Sequence, residues 1–158
     1  MDRNMTGMNA TTKIVLVTFL LLISTSIVSA QQLRFTSSNG DAIWTLDYRM
    51  ANKILGDDTW GYDYNFSFND SCAYSWTKFL GEIYNSHKGT WEWYSPDGKI
   101  YSINSYVQDA PIDGYYETIN AWCCLPIRGR IPTSLAGKWR ADFYLDGQFA
   151  FTEDFYIV

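Results

Sequence analysis

The residues able to do acid–base or metal chemistry in this 158-residue chain are one histidine, three cysteines and 17 aspartates and glutamates. His87 lies in the polar stretch Asn85-Ser86-His87-Lys88-Gly89. A histidine base needs a nucleophile within hydrogen-bond reach. Neither Gly-x-Ser-x-Gly nor a cysteine-hydrolase signature occurs, so His87 reads as a solvated loop residue. Glycoside hydrolysis needs two carboxyl groups about 5–10 Å apart in a cleft. Asp57, Asp58, Asp63, Asp70, Glu82, Glu92, Asp113, Glu117, Asp142 and Asp154 qualify by type. Most of them stand at turns or on the polar side of alternating runs, where any β domain places its carboxylates. The Asp-x-Asn-x-Asp-Gly spacing of calcium loops and the Cys-x-x-Cys spacing of zinc sites are both absent. No catalytic residue, metal or cofactor is expected.

The cysteines are Cys72, Cys123 and Cys124. Neighbouring strand residues face opposite ways, so Cys72 can reach only one of the pair. Cys123 shares a frame with Leu125 and Ile127, and Cys72 shares one with Tyr74 and Trp76. If both frames face the core, Cys72–Cys123 is an inter-sheet disulfide. The alternative is three free buried cysteines acting as small apolar groups. An odd cysteine remains in either case and could join two chains. Asn65-Phe66-Ser67 and Asn69-Asp70-Ser71 are glycosylation sequons, making Asn65 and Asn69 candidate acceptors.

The elements that must position these groups are strands. Aromatic residues suit a half-buried pleated surface, and the chain holds 7 Trp, 12 Tyr and 9 Phe. Trp60, Tyr62, Tyr64, Phe66 and Phe68 occupy successive even positions, the period of a strand. Trp91 alternates with Trp93, Ala121 leads to Cys123, Leu125 and Ile127, and Trp139 leads to Ala141, Phe143 and Leu145. Phe155 and Ile157 close the chain. Residues 73–84 read as a strand running into a loop. Pro96-Asp97-Gly98 and Asp146-Gly147 are hairpin turns, each expected as a three-residue loop ending in Gly. That register pairs Trp93 with Tyr101, Trp91 with Ile103 and Phe143 with Phe149. The pattern predicts an all-β antiparallel sandwich of about seven strands.

The first thirty residues have another character. Arg3 and Lys13 precede the apolar run Ile14–Val28, and Val28-Ser29-Ala30 supplies small residues before Gln31. That order is a cleavable secretory signal over 1–30, leaving one domain over 31–158. The apolar run is shorter than the roughly 20 residues a spanning helix needs. No spanning segment is expected after cleavage, and the product is expected to be secreted, in some settings held at a cell surface. The net charge of −5 comes without any basic run, which argues against nucleic acid as a partner.

Trp91-Glu92-Trp93-Tyr94-Ser95-Pro96-Asp97-Gly98 with Tyr101, and Gly137-Lys138-Trp139-Arg140 with Phe143, Asp146-Gly147 and Phe155, resemble the hairpins of prokaryotic secreted immunoglobulin-like sandwich modules. The resemblance covers roughly residues 65–158. It implies an immunoglobulin-like sandwich and no particular activity; residues 32–64 have no counterpart in it.

Aromatics outside the core frame are the positive functional sign. Tyr94, Tyr144 and Tyr156 fall on the opposite frame, among Glu92, Lys138, Arg140 and Asp142, while Tyr115 and Tyr116 stand in a turn-rich stretch. Exposed rings stack on sugars or anchor protein contacts. The expectation is a non-catalytic extracellular binding module for a protein or carbohydrate, with Tyr94, Tyr144 and Tyr156 as its binding residues. The alternatives are a structural subunit of a surface layer or appendage, and a small carboxylate-dependent hydrolase.

Overall fold

The computed structural model describes the backbone of residues 34–36 and all of 40–131 and 133–158. The expected signal segment and its cleavage after Ala30 lie outside the described residues. Among the described residues eleven strands follow in order: β1 (Arg34–Thr36), β2 (Ala42–Ala51), β3 (Ile54–Leu55), β4 (Asp58–Thr59), β5 (Asn65–Phe66), β6 (Cys72–Ile83), β7 (His87–Tyr94), β8 (Ile100–Gln108), β9 (Tyr116–Pro126), β10 (Gly137–Leu145) and β11 (Gln148–Ile157). Seven of them, β2 and β6 to β11, run eight residues or more. This is the antiparallel sandwich the alternation predicts, with one short parallel pairing, β5 to β11.

One main sheet has the order β1-β2-β6-β9 and the other β5-β11-β10-β7-β8, while β3 and β4 form a separate two-stranded ribbon. Between them lies the core. The first sheet contributes Ile43, Phe79, Ile83, Ala121 and Leu125, and the second contributes Trp91, Trp93, Trp139, Phe143 and Phe155. The predicted frames of β7, β9, β10 and β11 face inward as expected. Burying such large side chains contributes about 1.5–3 kcal/mol each, which is what holds the sheets face to face.

Local periodicity misleads in three places. Only Asn65–Phe66 of the aromatic run 60–68 is a strand. Trp60 and Tyr62 are two-thirds exposed. Gly61 turns the chain with φ +69°, and the Tyr62 ring lies under the Arg49 guanidinium at 4.6 Å instead of entering the core. On β6 the inward frame is the odd one: Ala73, Ser75, Thr77 and Phe79. Trp76 is buried on the outer face, beneath Arg49 at 4.5 Å, with its indole N–H donating to the Asp57 carbonyl. Strand β2 carries no clean alternation because a bulge at Leu46 resets its frame.

Both hairpins form, with corrected registers. At Pro96–Gly98 the loop closes as predicted, Ser95 accepting from Gly98 N–H at 2.8 Å. A bulge then shifts the ladder, so Trp93 pairs with Ser102 and Trp91 with Asn104. At Asp146-Gly147 the loop has two residues, both with positive φ (50° and 79°). Such turns match the strand twist. Tyr144 therefore faces Phe149, and a bulge returns Phe143 to Phe151. The apolar set is restored by that bulge rather than by a longer loop.

Candidate functional site

His87 is not a solvated loop residue. It opens β7 and is 3% exposed. Its Nδ1 lies 2.7 Å from Asp146 Oδ2 and its Nε2 lies 3.0 Å from Asp41 Oδ2. Two carboxylates on opposite ring nitrogens are both satisfied when each nitrogen carries a proton. Asp41 Oδ2 also accepts from the backbone N–H of Tyr84 and Asn85 at 3.0 and 2.9 Å. Burial works to raise the Asp41 value, but the donors from Asn85, His87 and Tyr84 outweigh it and hold the carboxyl below its usual range. The cluster ties the start of β2, the β6–β7 turn and the β10–β11 turn together at one end of the sandwich.

Asp41 also lines an open groove of about 560 Å³ on the outer face of the first sheet. Trp44 comes from β2, Leu80 and Glu82 from β6, and Glu117 from β9; Tyr84 and Tyr115 stand just beyond the ends of β6 and β9. A register shift between Leu80 and Ile83 loosens the β6–β9 ladder here. Gly81 makes the close approach of β2 possible, since a Cβ on it would sit 2.5 Å from the Ala42 carbonyl oxygen. The Tyr84 and Tyr115 rings meet at 5.4 Å, and both are nearly half exposed. Tyr84 donates to Glu82 at 3.3 Å. Its hydroxyl is pushed above the ordinary tyrosine range, first by desolvation and then by the Glu82 charge. Three rings and three carboxylates line the groove, with no lysine or arginine among the lining residues. Such a set can stack on an apolar ring face and accept hydrogen bonds from hydroxyl or ammonium groups.

The three tyrosines expected to bind do share one surface, the outer face of the second sheet. Tyr94 and Arg140 are cross-strand partners, with the guanidinium 4.0 Å from the ring centre. The Tyr94 hydroxyl donates to Glu92 at 2.7 Å. Hydrogen bonding to Glu92, burial and the Glu92 charge raise the Tyr94 value; burial and then Glu92 raise that of Tyr144. Tyr94 and Tyr144 are half-buried, and Tyr144 meets the Phe149 ring edge-on at 5.7 Å. Tyr156 is exposed, opposite Lys138, which is paired with Asp154 at 2.8 Å. None of the three lines the aromatic groove. Of the groove aromatics, only Tyr115 stands out in the sequence, by its place in a turn-rich stretch.

The disulfide joins Cys72 to Cys124, not to Cys123. Cys72 lies in the outward frame of β6 and reaches the outward frame of β9, where Cys124 stands diagonally across the ladder, two positions from the register partner Pro126. The Cα atoms are 5.6 Å apart within one sheet. Cys123 is the free thiol, packed against the core, and burial pushes it up to about 11. Asn65 and Asn69 are both exposed. Asn65 starts the two-residue β5, and Asn69 stands in the turn before β6, its carbonyl accepting from Arg128 Nε at 2.7 Å.

The carboxyl with the strongly raised value is Glu153, pushed up to about 8 chiefly by burial. It lies between the sheets, away from the groove.

No family model matches the chain, and no curated protein matches it. Among solved structures it is similar to the crystal structure of an immunoglobulin-like protein from Pseudomonas aeruginosa. The TM-score is 0.45 at 10% identity, with 71% of this chain and 92% of that one covered.

Proposed function

We propose that this chain is an exported, non-catalytic binding module that holds a neutral carbohydrate in the groove between Trp44, Tyr84 and Tyr115. One observation carries the reading: the rings and the carboxylates Glu82 and Glu117 converge on one open concavity with no basic side chain lining it. Sugar rings present an apolar C–H face and a rim of hydroxyl donors, and the groove offers a partner for each. Acidic glycans would meet like charge. Export is supported by the leader pattern of residues 1–30 and by the Cys72–Cys124 disulfide, which persists in oxidising compartments.

The test is an array of neutral and acidic glycans probed with the purified chain, followed by titration calorimetry on the best neutral hit. Trp44→Ala and Tyr115→Ala are expected to weaken binding about tenfold or more each, by loss of stacking area. Tyr156→Ser, outside the groove, should leave it unchanged. Binding only to acidic glycans, to none, or undiminished binding by the groove variants would overturn the proposal.

A further inference from the structure

Among the described residues, strand β8 is the outermost strand of its sheet and pairs with β7 alone. Its nine residues, IYSINSYVQ, contain no charge and no proline. Edge strands are ordinarily protected by such residues, because their free N–H and C=O groups accept another strand. The bulge on β8 sits near its first residues, which leaves the rest regular. Ile100, Ile103 and Val107 are each more than half exposed. In a chain of net charge −5, this neutral strand is a place where two copies can meet without carboxylates opposing each other.

We propose that two copies of this chain pair through β8, antiparallel about a two-fold axis at Asn104, joining their larger sheets into one. Charge complementarity selects a second copy over a foreign strand. With Asn104 facing itself, Ile100 stands across from Gln108. One step further, Lys99 of one copy faces Asp109 of the other, and the symmetry repeats that pair at the opposite end. The Lys99 ammonium pairs with Asp97 in its own turn, at 2.7 Å, with both side chains exposed. Such surface pairs are worth little, so exchanging one partner for another costs little. The interface is isologous and closes at two copies, leaving no free β8 edge. The groove lies on the other sheet and remains open.

The experiment is sedimentation equilibrium of the full chain over rising concentration, with variants made in a Cys123→Ser background. The expected result is a monomer–dimer equilibrium. Ile103→Lys sets two like charges near the axis and should weaken dimerisation by roughly tenfold or more, with the same thermal melt. Asn104→Cys should cross-link to itself under mild oxidation, while Ile100→Cys should not. A wild-type chain that stays monomeric at every concentration overturns the proposal. So does a dimer indifferent to Ile103→Lys, or one in which Asn104→Cys fails to cross-link.

Discussion

The Ser75 hydroxyl donates a 2.6 Å hydrogen bond to Glu153 across the interior of the sandwich, tying β6 of one sheet to β11 of the other. Trp91 donates to the same hydroxyl at 3.0 Å. The second carboxyl oxygen, Oε1, is buried without a hydrogen-bond partner. Burial therefore favours the protonated acid, and the Glu153 value stands at about 8 against an ordinary 4.5.

The folded chain keeps this proton where the unfolded chain has released it. Stability is full below the unfolded value, falls as pH rises, and levels off above about 8. The fall amounts to several kcal/mol, at about 1.4 kcal/mol per unit. Urea unfolding at pH 5 and pH 8.5 should show it. Glu153→Gln should flatten the profile; a wild-type profile already flat over that range would contradict the assignment.

Removing the imidazole of His87 leaves Asp41 and Asp146 without a shared donor. His87→Ala is expected to destabilise by about 2–4 kcal/mol in chemical denaturation. Because the Asp41 value is depressed, its contribution is present above the unfolded value and lost as pH falls through the folded one. Asp41→Asn should therefore narrow the difference in stability between pH 5 and pH 2.5. An unchanged acid limb would count against the cluster.

How far these groups could be read from the chain depends on the range of the interactions. The inward frames at Trp91, Trp93, Trp139 and Phe143 are legible because one unbroken alternation fixes which side is apolar. The face of Trp76 is not, because residues distant in the chain, Asp57 in a turn 19 positions away and Arg49 on β2, decide whether an outward ring is covered. His87 looks polar in its local window, and its two carboxylates come from 46 and 59 residues away. The groove is similarly hidden: Trp44 and Tyr115 become neighbours only through the β2-β6-β9 order. Bulges at Leu46 and in both hairpins add frame shifts that a fixed period of two cannot express.

Peptide mapping under non-reducing conditions should recover Cys72 linked to Cys124. The closed loop spans 52 residues, so replacing both by serine should cost about 4 kcal/mol. Cys123, with its thiol held near 11, should resist iodoacetamide at pH 7.5 until the chain is unfolded. Rapid alkylation of the native protein would show that β9 opens there.

Substituting Gly81 tests the close approach beneath the groove. Gly81→Ala drives a methyl against the Ala42 carbonyl at 2.5 Å, and a loss of about 1–3 kcal/mol is expected in thermal unfolding. Retained stability would mean that β2 and β6 separate easily at this point.

The staple between Cys72 and Cys124 joins β6 to β9 within one sheet, so no disulfide spans the two sheets. A chain pulled from its ends could peel one sheet from the other, yet the segment between the two cysteines, which are 52 positions apart and enclose β7 and β8 whole, cannot be drawn out. That shields about 170 Å of contour length from tension at roughly 3.3 Å per residue. Under load the oxidised chain should act as a short tether with a sheltered loop, and reduction should lengthen it by that amount.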